Sequence, residues 1–194
     1  MAGLDSSIAN LERRKRDLER YSYIINSFRH TDVSQDETFQ RTFTHFYRVR
    51  RNSEWRQVYY RLFEESKQKV NISFEAILRA IYVSTGRIEA SFSSKMLATL
   101  NPEMPIWDSI VLSKLGKKPK QNLEKEERLR QSVQIYKAII SWYEDFKREP
   151  EAKRFTEAFD CAFPEYKGFS AIKKIDFLIW GSGESELFNN ENAG

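Results

Sequence analysis

Seven glycines and five prolines in 194 residues leave this chain almost without turn punctuation. Sandwiches and hairpin-rich barrels need a Gly-, Pro- or Asn-marked reversal roughly every 8–12 residues, and dinucleotide-binding α/β folds need a glycine-rich first turn. Both classes are excluded. What remains is helix, and the apolar spacing agrees with that almost everywhere. Residues 6–28 carry Ile8, Leu11, Leu18, Ile25 and Phe28 at helical intervals, and 35–49 set Phe39, Phe43, Phe46 and Tyr47 on one stripe. A third helix starts at Ser53 with Trp55, Val58, Tyr59, Leu62 and Phe63 on one face. A fourth runs from the cap residue Ser73 to Thr85, where Gly86 can take a left-handed cap, and a fifth covers 88–100, ended by Asn101-Pro102. A short helix from about Asp108 to Leu115 ends at Gly116. The longest pattern, 123–147, is broken by Pro150, and Phe155–Ala162 marks another short helix before Pro164. Ser170 caps a last helix, AIKKIDFLIW, and the tail 183–194 is expected to be flexible. The expectation is an all-α chain of about eight helices. It forms one compact domain over 1–182, with lobes 30–118 and 1–29 plus 119–182.

Composition removes several chemistries. The lone Cys161 cannot supply a disulfide framework, an iron–sulfur cluster or a Cys-rich zinc site, and His30 and His45 are the only histidines. No metal and no organic cofactor are expected. No apolar run approaches the ~18 residues a span needs, and the opening MAGLDSSIANLERRKRDLER has no apolar targeting core. A cytoplasmic protein with a reduced thiol and no membrane partner is expected; composition is silent on oligomeric state. The net charge of +4 suits a polyanionic partner weakly. Its arrangement suits one better: Lys114, Lys117, Lys118 and Lys120 run without an acid until Glu124, and Arg48, Arg50, Arg51 and Arg56 form a second cluster. The run Arg13–Arg16 is balanced by Glu12, Asp17 and Glu19 and reads as a solvated helix face.

The most informative stretch is 84–120. In Pro105-Ile106-Trp107-Asp108-Ser109-Ile110-Val111, a proline sets extended backbone, two apolar residues anchor it, and an aspartate opens an amphipathic helix. A carboxylate there accepts backbone N–H groups, faces the positive end of the helix dipole, and so stays ionised and fixed. Capping alone accounts for it; a catalytic carboxylate is the other reading. The run MPIWDSIVLSKLG resembles the helix-hairpin-helix DNA glycosylase superfamily, and with SSKML…NP…PIWDS and KKIDFLIW it resembles bacterial proteins of an oxoguanine-glycosylase-like fold. The resemblance implies a two-lobed all-α fold and a DNA partner. It implies an N-glycosylase activity, with lyase activity if a lysine attacks, and a catalytic carboxylate at Asp108. Lys95 resembles the lysine of the bifunctional members, although it lies only 13 positions before Asp108, and the glycine pair of the hairpin is replaced by Thr85-Gly86-Arg87.

Such chemistry needs a carboxylate against a cationic sugar, an amine able to attack it, and aromatic faces for a flipped base. The chain holds 14 Phe, nine Tyr and four Trp, and Trp107, Phe92 and Tyr60, with Tyr59 and Trp180 behind them, are candidates for stacking. For each, core packing is the competing role. Lys95 is either nucleophile or phosphate anchor. Ser93 and Ser94, read as a helix start, would offer amides to a phosphate alongside the lysines of 114–120. Asp176, between Ile175 and Phe177, is expected to pair with Lys173 or an arginine. The rival readings are a non-catalytic helical nucleic-acid-binding protein and a protein-interaction module.

Overall fold

The computed structural model describes residues 2–120 and 122–182; the expected tail, 183–194, lies outside them. The described residues form ten α-helices and one short 3-10 turn, Pro164–Tyr166. The helices are α1 Ala2–Arg13, α2 Lys15–Phe28, α3 Glu37–Phe46, α4 Ser53–Ser66, α5 Phe74–Thr85, α6 Ala90–Leu100, α7 Ser109–Lys114, α8 Lys125–Phe146, α9 Pro150–Ala162 and α10 Ala171–Gly181.

Local chemistry sets many of the boundaries. Ser73 accepts from the Ala76 amide at 3.1 Å and Ser170 from the Lys173 amide at 3.2 Å, each supplying an acceptor that the first helical turn lacks. Gly86 ends α5 with φ +69°, a conformation open to glycine without a Cβ clash. Two boundaries differ from the sequence expectation. The single helix over 6–28 is two, because Arg14 leaves helical geometry at φ −112° and ψ 26°. The break lets α1 turn onto α9 and α10 while α2 lies on α3 and α6, and the cations of 13–16 bury nothing that would oppose it. Pro150 does more than break a helix: it opens α9, which runs 13 residues. At the first helical position the missing N–H costs nothing and the fixed φ favours the helix.

α5 packs against α4, α6 and α8, and α10 packs against α1 and α9, so the two ends of the described chain meet. A single connected cluster of buried side chains runs from Leu4 through Ile179. Two aromatic groups anchor it. Phe43 lies within 6.1 Å, centroid to centroid, of Phe39, Tyr47, Tyr59, Tyr60 and Phe63. Phe177 gathers Tyr21, Phe46, Phe159, Phe169 and Trp180 in the same way. Pairs at such spacings add about 0.5–1.5 kcal/mol each beyond their buried area. Most of the aromatic surplus is therefore core.

The α1–α10 contact is close enough to depend on one glycine. A Cβ on Gly181 would sit 2.6 Å from the Ser7 carbonyl oxygen and 3.2 Å from Leu11, and the Asn10 amide donates to the Gly181 carbonyl at 2.8 Å. Backbone cannot swing aside as a side-chain tip can, so the two helices must separate. Gly181→Ala is expected to lower the unfolding free energy by about 1–3 kcal/mol, measured by urea denaturation; an unchanged midpoint would contradict this packing.

Candidate active site around Lys95 and Asp108

Helical spacing places Ser91, Ser94 and Lys95 on one face of α6. That face holds the segment leading to Asp108. The Ser94 hydroxyl accepts the Trp107 amide at 2.8 Å, the Ser91 hydroxyl donates to the Trp107 carbonyl at 3.3 Å, and the Tyr136 hydroxyl donates to the Pro105 carbonyl at 2.7 Å. With the segment before it tied in this way, Asp108 opens α7 and accepts the Ile110 amide at 2.8 Å. Its carboxylate is partly buried.

Lys95 emerges beside this segment. Its Nζ donates to the Tyr47 carbonyl at 3.2 Å and lies 5.0 Å from the Phe92 ring centroid and 5.8 Å from that of Tyr47. Among the described residues no carboxylate comes within 4.0 Å of it. Burial is the main force on this amine and brings its pKa down from 10.5 to about 8. The Asp108 charge pulls the other way, while Lys173 and Arg48 push it further down. Lys95 and Asp108 therefore share one electrostatic neighbourhood, and at neutral pH roughly a tenth of the amine is unprotonated.

Beneath them lies a buried ion pair. Lys173 Nζ and an Asp176 oxygen are 2.9 Å apart, the Tyr143 hydroxyl donates to the other oxygen, and the ammonium lies 4.9 Å from the Tyr21 ring and 5.0 Å from that of Trp180. The pairing expected for Asp176 is thus with Lys173. Burial raises the Asp176 carboxyl and the Tyr143 hydroxyl above their ordinary values, and the charge of Asp108 acts on both in the same direction. Burial opposes the Lys173 ammonium most strongly of any single influence, but Asp176, Tyr47 and Tyr21 together outweigh it and its pKa rises.

Other expected site residues fall elsewhere. Ser93 and Ser94 are fully buried inside α6, which begins at Ala90; the Ser93 amide is bonded to the Glu89 carbonyl, and the Ser94 hydroxyl supports Trp107. They cannot take a phosphate. Tyr60 is buried too, its hydroxyl donating to the Gln40 carbonyl at 2.9 Å and lying 2.8 Å from that of Thr44, so its ring is closed to a base; Tyr59 is likewise buried. Phe92 is buried against Trp55, with the Arg51 guanidinium 5.2 Å from its centroid. Trp107 is partly open and parallel to Phe74, which itself stacks on Tyr136 at 4.0 Å. Trp180 is also partly open, against Phe46 and Phe177. Lys114, at the end of α7, and Lys117, Lys118 and Lys120 beyond it are exposed. Of the arginine cluster, Arg51 is held in a two-pronged pair with Glu89 at 2.8 and 2.9 Å. Arg50, Arg51 and Arg87 line a hollow of about 490 Å³ at the α5–α6 turn.

No protein-family model, curated protein or solved structure matches the chain significantly. Its chemistry has to be read from its own residues. Among those described, no group of three His, Cys, Asp or Glu is placed to hold a metal ion, and no helix is long and apolar enough to cross a membrane. An amine with a depressed pKa beside a fixed carboxylate can act as a nucleophile or a base.

Lys95 also leaves a mark on stability. Its folded pKa, about 8, lies below the ordinary 10.5, so between those values the unfolded chain binds more protons and stability rises with pH. The penalty is complete below about pH 8 and relieved by pH 10.5. Against a Lys95→Met variant, wild type should gain roughly 2–3 kcal/mol across that window in denaturation curves. Parallel pH profiles would contradict the burial of this amine.

Proposed function

We propose that this chain is a DNA N-glycosylase-like enzyme that recognises a damaged or modified base, with Asp108 as its catalytic carboxylate and Lys95 as its nucleophile. The observation that carries the reading is a lysine amine whose pKa falls to about 8 within electrostatic reach of a carboxylate fixed at the start of α7. In the step envisaged, the Lys95 lone pair forms a bond to C1′ of the deoxyribose as the bond from C1′ to the base breaks. The bonding pair leaves with the base, which takes a proton from water. Asp108, held 2.8 Å from its capping amide, supports the positive charge that grows on the sugar. Trp107, beside the carboxylate and partly open, is the aromatic face available to an extruded base. The exposed Lys117, Lys118 and Lys120 after α7, with Arg50, would supply charge for the backbone phosphates.

The second reading is a non-catalytic nucleic-acid-binding protein. It is favoured by one contact: the Asp108 carboxylate already accepts the Ile110 amide, a complete structural role for an N-cap.

Base release separates the two. Incubated with duplexes carrying oxidised, deaminated or alkylated bases, the enzyme is expected to leave abasic sites on at least one of them. Asp108→Asn should slow release by about 100-fold or more. Borohydride should trap a covalent adduct with wild type and none with Lys95→Met, and the rate should climb as pH rises toward 8, where the amine loses its proton. Failure to release any base, or full activity in Asp108→Asn, would overturn the catalytic reading; salt-sensitive DNA binding that survives Asp108→Asn would favour the second.

A further inference from the structure

A hollow away from the candidate active site is lined by neither Lys95 nor Asp108. It holds about 850 Å³ between α5, α6, α8 and the 67–73 connection, and a second hollow of about 430 Å³ adjoins it, sharing Arg29, Lys67 and Leu100. Its lining divides by chemistry. The apolar surface is made by Ile72, Leu97, Met104, Ile140 and the stacked rings of Phe74 and Tyr136. The cations are Arg29, Lys67, Lys69 and Lys137. Lys67 is committed to Glu64 at 2.7 Å and to the Thr31 carbonyl. Among the described residues, Arg29, Lys69 and Lys137 have no carboxylate within 4.0 Å, and all three are exposed at the rim. The one acid lining the larger hollow, Glu75, is paired with Arg79 at 2.9 Å.

We propose that this cleft binds a small organic anion: a molecule with an apolar, ring-bearing body for the Phe74–Tyr136 side and a carboxylate, phosphate or sulfonate for Arg29, Lys69 and Lys137. Charge decides the sign of the ligand: in the larger hollow Arg29, Lys69 and Lys137 face only Glu75, which Arg79 holds, while Asp32 and Glu64 line the adjoining hollow. Size decides the class. Small-molecule sites run about 300–1,000 Å³. Asn71, at φ +55° in the turn that lines the rim, adds an amide that can donate to the same anionic group.

Anilinonaphthalene sulfonate, an aromatic anion, tests this with the full chain. Wild type should bind it saturably at one site, with the uncharged phenylnaphthylamine binding more weakly. The double change Lys69→Glu/Lys137→Glu should weaken binding by about tenfold or more, since it reverses two rim charges. Ile140→Trp, which fills the apolar side, should do the same, and Arg148→Glu/Lys153→Glu, which alters two exposed cations lining neither hollow, should leave affinity unchanged. Both cleft charges are exposed, so the double variant reports even if Ile140→Trp does not fold. Equal affinity in the rim variant, equal loss in the distant control, or displacement of the dye by a short DNA duplex would overturn the assignment. None of these outcomes depends on base release at Asp108.

Discussion

Lys173 and Asp176 lie one helical turn apart on α10, only 2% and 1% exposed, with their charged atoms 2.9 Å apart. Removing two such ions from water carries a penalty of several kcal/mol each, and breaking the pair by losing one partner typically costs about 3–5 kcal/mol. The surroundings offset it with specific geometry: the Tyr143 hydroxyl from α8 on the carboxylate and the Tyr21 ring from α2 against the ammonium. Each compensation comes from a different helix. The pair therefore holds α2, α8 and α10 in one register, and an apolar replacement would fill the space without naming a geometry. Its charges reach further: Lys173 helps depress Lys95, and Asp108 acts on Asp176 and Tyr143. The candidate site rests on this buried pair from below.

What could be read from the sequence was local. Ser73, Asp108 and Ser170 are caps because a side-chain oxygen two or three residues from a free amide needs nothing from the rest of the molecule. Gly86 follows from the same logic. The break at Arg14 was hidden because the spacing of Leu11 and Leu18 suits one continuous helix; only the diverging demands of α10 and α3 divide it. Ser93 and Ser94 were misplaced by where α6 begins. Glu89, held by Arg51, stands at the N-cap, so both serines lie inside the helix with their amides spent. The signal for their real environment was available: Ser91, Ser94 and Lys95 share a helix face, and small hydroxyls on such a face allow a passing strand of backbone to dock. Phe92, three residues back on the same helix, was a foreseeable neighbour of Lys95, but its burial was not legible because Tyr47, which closes over it, comes from the end of α3.

The glycine-poor composition that limits the chain to helices also limits how it can make a site. With few flexible turns, reactive groups have to be presented by helix ends and by side chains reaching across them. Asp108 is presented in that way by α7, and Lys95 reaches past its own helix to the carbonyl that follows α3. The proposed anion cleft combines the start of α5 and the end of α6 with the middle of α8, which supplies Tyr136, Lys137 and Ile140.

The central claim is that Lys95 and Asp108 act on one another within a partly buried site. Titration of the Lys95 side-chain carbon signals by NMR measures that directly. The account predicts a midpoint near 8 in the wild-type protein and a lower one in Asp108→Asn, because the carboxylate is what supports the protonated amine against burial. A midpoint close to 10.5, or one that does not move when Asp108 is neutralised, would contradict it.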